Sequence, residues 1–218
     1  FDNYLVVGVA GATTDEKDTG AVVLFDLDTF EPVRTMWVPG KTGSYLGHTV
    51  ATVGSTIIAG AFKDDPGAEK AGSLFVFNGL SGDLLWEFNN PTPAIEDFFG
   101  EAVAGSLNMA IVGARQDDTL SEDSGAVYVY DLDTGEMLRS IFHPDGLAGA
   151  QFGTSVAALG SKVLIGAPLD GQFAARAGKA FLYDAITGEV LITLSSPAPD
   201  RGEHFGDSVA FVGNHLLV

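Results

Sequence analysis

The chain has 218 residues, no cysteine, and 29 acidic against 11 basic side chains, a formal net charge of −18. The length allows one or two domains with a sizeable core, and a hydrophobic content of 46% is too high for a disordered acidic tail, so the charge covers a folded surface. That charge repels phosphate backbones and anionic lipid, no apolar run approaches the ~20 residues of a membrane span, and the lack of cysteine removes disulfides, thiolate catalysis and Cys-type zinc sites.

The chain opens on Phe1 and stops inside the apolar run of residues 215–218, which reads as a piece cut at both ends. The first predicted strand is Leu5-Val6-Val7, followed by Gly8, Gly20 and Pro39. These three recur 52 residues later as Gly60, Gly72 and Pro91, and from there the interval is 53. Gly47, Gly100, Gly153 and Gly206 keep it, as do Asp64, Asp117 and Asp170, then Gly72, Gly125 and Gly178, then Gly82, Gly135 and Gly188. A period of this length marks a repeat architecture, with copies at 1–44 (incomplete), 45–97, 98–150, 151–203 and 204–218 (incomplete).

The third full copy is the cleanest. A short strand from Phe152 to Leu159 ends at Gly160, Ser161-Lys162 turns, and Val163-Leu164-Ile165-Gly166-Ala167-Pro168 is an apolar run of buried-strand type. A polar loop of about ten residues precedes the strand Lys179-Ala180-Phe181-Leu182-Tyr183, and the turn from Asp184 to Gly188 leads into Val190-Leu191-Ile192-Thr193-Leu194. Four short strands per copy, with no helical periodicity, predict an all-β fold: a β-propeller of four-stranded antiparallel blades, about four of them present, as a single partial domain over 1–218.

The fixed residues have physical roles in such a blade. Gly60, Gly113 and Gly166 suit a close approach of inner strands around a channel. Phe99, Phe152 and Phe205, with Tyr45 taken as their counterpart in the first copy, are expected to bury about 2–3 kcal/mol of apolar surface each between neighbouring blades. Phe25, Phe77, Tyr130 and Tyr183 do the same on the third strand. Gly135 and Gly188 offer the positive-φ position of a hairpin, with Asp131, Asp184 or Asn78 bonding the turn backbone.

Phe152-Gly153 followed by Gly166-Ala167-Pro168 resembles the FG-GAP repeat, the blade unit of the N-terminal propeller of integrin α subunits and of many secreted microbial proteins. Phe99-Gly100 with Gly113-Ala114-Arg115, Leu46-Gly47 with Gly60-Ala61-Phe62, and Phe205-Gly206 repeat the pattern. The resemblance implies a stretch of a seven-bladed ring, a closed four-bladed ring being the alternative, and it implies adhesion or matrix assembly assisted by Ca²⁺. The third and fourth strands, such as residues 72–77 and 82–86, also resemble quinoprotein-type blades.

The family's usual calcium loop lies between the first and second strands, where Gly54-Ser55-Thr56, Ser106-Leu107-Asn108 and Gly160-Ser161-Lys162 carry no carboxylate. Acidic residues gather instead in the loop after the second strand: Asp15, Glu16 and Asp18; Asp64, Asp65 and Glu69; Asp117, Asp118, Glu122 and Asp123; and Asp170. Two readings stand: Ca²⁺ sites, best at residues 117–123, since the ion takes six to eight oxygens, or solvated carboxylates bonding their own loop backbone. The stretch from Asp131 to Glu136 resembles the start of an EF-hand loop but lacks its closing glutamate, and reads as a hairpin turn. The four histidines fall at different repeat positions, no nucleophile elbow or P-loop occurs, and Trp37 and Trp86 read as outer-strand packing residues ahead of sugar-binding ones. Two functions follow. The first is a non-enzymatic extracellular or cell-surface module that binds a protein or glycan through its loops, with a neighbouring chain invited at open blade edges. The second is the propeller portion of a secreted enzyme, either a hydrolase accessory domain or a quinoprotein-like oxidoreductase.

Overall fold

A computed structural model describes residues 3–14, 17–172 and 174–218. The described residues form seventeen strands and no helix. The first three are β1 (Tyr4–Val9), β2 (Ala21–Asp26) and β3 (Pro32–Met36); the next four are β4 (Val50–Val53), β5 (Thr56–Ala61), β6 (Ser73–Asn78) and β7 (Leu84–Asn89). Then come β8 (Ala102–Ser106), β9 (Met109–Ala114), β10 (Ala126–Asp131) and β11 (Met137–Phe142). The chain continues with β12 (Ser155–Leu159), β13 (Lys162–Ala167), β14 (Lys179–Asp184) and β15 (Val190–Leu194), and ends with β16 (Ala210–Val212) and β17 (His215–Leu217). Hydrogen bonding joins them in chain order into one three-stranded sheet, three four-stranded sheets and a two-stranded one, antiparallel wherever a register is defined. These are blades of the kind the repeat predicts.

Local chemistry sets the hairpins. At the turn from third to fourth strand, one side-chain oxygen accepts two backbone N–H groups: Asp26 from Asp28 and Thr29, Asn78 from Leu80 and Ser81, Asp131 from Asp133 and Thr134, and Asp184 from Ile186 and Thr187, at 2.8–3.0 Å. The Thr134 amide, ahead of the other contacts, holds the Asp131 carboxyl below its ordinary range, and the EF-hand-like stretch is a turn. Gly82, Gly135 and Gly188 take φ of 82°, 73° and 78°, and Phe30 holds the same place in the first copy at 59°. Each third strand then shifts register against its fourth, at Leu24/Phe25, Val76/Phe77, Val129/Tyr130 and Leu182/Tyr183, a repeated bulge that sharpens the twist.

Burial rises and falls across each sheet. The second and third strands of the four-stranded sheets are almost wholly buried, whereas β15 is exposed along most of its length, with Val190, Leu191 and Ile192 at 42–44%. The chain divides into two compact units, Phe1–Val103 and Ala104–Val218, the boundary falling inside β8. In the first, Val22, Leu24, Leu46, Ile57, Ala59, Phe75 and Phe77 form the core. In the second, Ile111, Val127, Val129, Phe152, Ile165 and Phe181 do so, with a smaller cluster on Leu164, Ala180 and Leu182.

One expectation is corrected by this packing. Leu46, fully buried, is the first copy's equivalent of Phe99 and Phe152, while Tyr45 is half-buried and has φ of 58°. The repeated strand glycine does make a close approach, to the segment that opens the next sheet. A Cβ on Gly60 would lie 1.9 Å from the Gly100 carbonyl oxygen, and one on Gly166 would lie 1.8 Å from that of Gly206. Thr49 and Ser155 donate their hydroxyls to those same two carbonyls. Trp37 lies beyond the end of β3 and is 42% exposed, whereas Trp86 is half-buried on β7 and stacks on Phe88.

Candidate functional site

The surface able to vary without disturbing the sheets is the junction between each second-strand loop and the segment that opens the next sheet. The loop ends in a left-handed residue: Asp18, Lys70, Asp123 or Arg176, with φ of 50–57°. The incoming segment holds another at Tyr45, Phe98, Gln151 or His204, with φ of 54–58°. The two are joined: Tyr45 N–H donates to the Asp18 carbonyl, Phe98 to Lys70, Gln151 to Asp123 and His204 to Arg176, at 3.1–3.3 Å. One residue on, Leu46, Phe99, Phe152 and Phe205 donate to Thr19, Ala71, Ser124 and Ala177. The result is a short parallel ladder repeated four times, with side chains at its rim set by sequence alone.

Three of the four loops that end in a ladder also carry a buried carboxylate, the first having Ala12 at that position. Asp64, Asp117 and Asp170 are 7%, 1% and 1% exposed, and each meets a different solution. Asp64 accepts the Ser73 hydroxyl and the Lys41 ammonium, which also reaches Glu87, all at 2.7–2.8 Å. Asp117 accepts the Thr119 amide at 2.9 Å and the buried Tyr128 hydroxyl at 2.6 Å. Asp170 accepts the Gln172 amide at 2.9 Å, His143 Nε2 at 3.0 Å and Lys179 Nζ at 3.1 Å. His143 Nδ1 receives the Asp145 amide, which places the proton on Nε2 facing Asp170. These three side chains are at most 3% exposed, and His143 is edge-on to Phe152 and Phe181. Burial pushes the Asp170 carboxyl up, but the His143, Gln172 and Lys179 contacts outweigh it and hold it below the ordinary range.

The other acidic candidates serve their loops or face solvent. Asp65 and Asp118 each accept, at 2.7 Å, the amide of the left-handed residue five places on, Lys70 and Asp123. Gln116 donates to Asp123, Glu69 lies 3.5 Å from Lys70, Glu122 is exposed, and Asp18 lies 4.0 Å from Lys17. Asp15 and Glu16 lie outside the described residues. Among the described residues no three Asp, Glu or His side chains converge as a metal site would require.

Sequence reasoning missed an aromatic group in the first unit. Phe62 meets His48 at 4.3 Å, Phe98 at 5.8 Å and Tyr45 at 6.1 Å between ring centres, and Lys63 Nζ lies 4.1 Å from the Tyr45 ring centre. Its members lie at the ladder rim and just after Gly60-Ala61, so the signal was present as aromatics beside the repeat glycines.

In the copy where the pattern is fullest, the glycine of Phe152-Gly153 donates its amide to the carbonyl of Gly166 at 2.9 Å, and Gly166 in turn packs on Gly206. Residues 93–130 and 139–183 match the FG-GAP repeat family. The chain carries an FG-GAP repeat region. It is also 24% identical to integrin alpha-2 of Bos taurus and 22% identical to integrin alpha-2 of Mus musculus, over 242 aligned residues that cover 99% of this chain. The chain spans about a fifth (20%) of the length of these curated relatives. In these FG-GAP units the phenylalanine fills the core, its glycine caps the second strand, and the strand glycine admits the following unit.

Proposed function

We propose that the chain is a non-enzymatic recognition module of an extracellular or cell-surface protein, binding a protein or glycan ligand through its ladder rims. The observation that carries this reading is the ladder itself: one backbone frame, repeated four times, bearing different side chains each time. A rigid frame with interchangeable rim chemistry is a binding architecture, because variation there leaves the core untouched. The likeness to integrin alpha-2 supports an adhesive or assembly role, and the polar groups that could look catalytic, His143, Asp170 and Lys179, are sealed from solvent and partnered with one another. The exposed apolar strand β15 offers a face for a neighbouring sheet. The test is to present the folded chain to arrays of matrix proteins and glycans and to libraries of glycoside and peptide substrates. Saturable binding that rim substitutions at Phe62 or Glu122 weaken is expected. Turnover of any substrate without such binding would overturn the reading.

A further inference from the structure

The ladder rims are alike in backbone and opposite in charge at two places, and the contrast defines a ligand. In the first unit Lys70 sits among three carboxylates: Asp65 caps its amide, Glu69 lies 3.5 Å from its ammonium, and Glu96, across the ladder, pairs with it at 2.5 Å. Hydrogen bonding to Glu96, ahead of opposing desolvation, raises the Lys70 ammonium above its ordinary range. Moving along the chain by two repeats replaces each member. Lys70 becomes Arg176, while Asp65, Glu69 and Glu96 become Gly171, Ala175 and Gly202. Ile95 and Phe98 become Arg201 and His204.

The backbone frame does not change. Gly202 donates to Ala175 at 3.0 Å as Glu96 donates to Glu69 at 2.9 Å, and His204 donates to Arg176 as Phe98 does to Lys70, each at 3.2 Å. What changes is that three carboxylates have left and two arginines now help to line a hollow of about 460 Å³, with Ala175, Gly202 and His204. The carboxylates adjacent in sequence are turned elsewhere: Glu203 accepts the Ser196 hydroxyl at 2.6 Å and the Asp200 amide at 3.2 Å, and Asp200 accepts the Arg201 amide at 2.6 Å. Among the described residues neither Arg176 nor Arg201 has an ion-pair partner. On a protein of net charge −18 this is a local reversal of sign.

We propose that this hollow binds an acidic side chain, Asp or Glu, of a partner protein. That chain's carboxylate takes the place that Glu96 fills for Lys70, with Arg176 and Arg201 donating to it and His204 flanking it. The internal pair supplies the chemistry: in the first unit the molecule carries its own carboxylate into this frame, and in the second it leaves the position to a ligand. Guanidinium suits the task because its planar fork can donate two parallel bonds to one carboxylate. The inference rests on the recognition reading above and specifies the ligand chemistry of one rim.

The experiment is an NMR titration of the chain with acetyl-triglutamate amide at low salt, with acetyl-triglutamine amide and a sulfated heparin disaccharide as the other arms. Saturable shifts at residues 175–176 and 201–204 are expected with triglutamate and not with triglutamine. Arg176→Gln and Arg201→Gln should each weaken binding by about tenfold, the cost of one charge-assisted hydrogen bond. Gly202→Glu should abolish it by restoring the internal pair. Glutamate is tolerated in that backbone conformation, since Glu96 holds φ of 65° where Gly202 has 76°. Unchanged melting temperatures show that the variants fold, and the two Arg→Gln variants carry the test if Gly202→Glu does not. No saturable shift, equal response to triglutamine, indifference to the substitutions, or tighter binding of the disaccharide would each overturn the proposal. Array binding retained alongside such a result leaves the recognition module standing and removes only this rim's assignment.

Discussion

Asp117 and Asp170 occupy the same place in successive copies, both 1% exposed and both capping an amide two residues on, yet one takes a tyrosine hydroxyl and the other a histidine and a lysine. Tyr128, on β10, supplies a hydroxyl to Asp117. At the corresponding strand Lys179 replaces the small Ala126, and its charge is matched by Asp170 from the loop. The lesson is that three copies bury a carboxylate at this position, the first having Ala12 there, and that each of the three is satisfied by different means. Charge at a repeat position therefore reports local satisfaction before it reports a ligand.

Removing the carboxylates should break the comparison in order of size. Asp170→Ala strands Lys179 as an uncompensated buried charge and should cost about 3–5 kcal/mol, read as loss of midpoint in urea unfolding. Asp117→Ala removes the acceptor of the Tyr128 hydroxyl and the Thr119 amide, and should cost about 1–3 kcal/mol. Equal losses would mean that the two sites are energetically alike. Tyr128→Phe should cost about 1 kcal/mol, which separates the hydroxyl's share from that of the amide.

The pH dependence sharpens the contrast. The Asp170 carboxyl titrates below its ordinary range in the folded protein, so in that window the unfolded chain binds more protons and stability rises with pH. Its contribution is present above about pH 3.9, the unfolded value, and is lost as pH falls through the folded one. Acid unfolding of Asp170→Asn should accordingly show a flatter profile there than the native chain; parallel profiles would remove Asp170 from the linkage. Calcium should have the smallest effect. Millimolar Ca²⁺ against chelator should leave the melting temperature unmoved, because Asp118 and Asp123 are engaged within their own loop. A rise that Asp118→Ala reduces would show that the loop re-forms around the ion.

The blades were legible because their punctuation is glycine, and glycine is chosen where nothing else fits, as the 1.9 Å approach at Gly60 shows. The hairpins were legible for a similar reason, since Asp131 and Asp184 bond turns within three residues of themselves. The ladders were not, because their left-handed residues share a conformation without sharing a chemistry: Asp18, Lys70, Asp123 and Arg176 have no common side chain. Tyr45 was chosen over Leu46 by following aromatic character where register decides. The meeting of His143 and Lys179 was not legible, because the carboxylate between them, Asp170, lies 27 residues from the one and on another segment from the other. The rim at Arg176 needed the alignment of whole copies, since only the disappearance of Asp65, Glu69 and Glu96 two repeats later exposes the two arginines.

Each ladder keeps two L-amino acids in a backbone state that glycine occupies at no steric cost. The toll is roughly 1–2 kcal/mol per residue, so eight such positions hold a reserve that a chain selected for endurance alone would have collected by mutating them to glycine. Engineers seeking a hardier scaffold can draw on that reserve one rim at a time, beginning with those whose side chains prove silent.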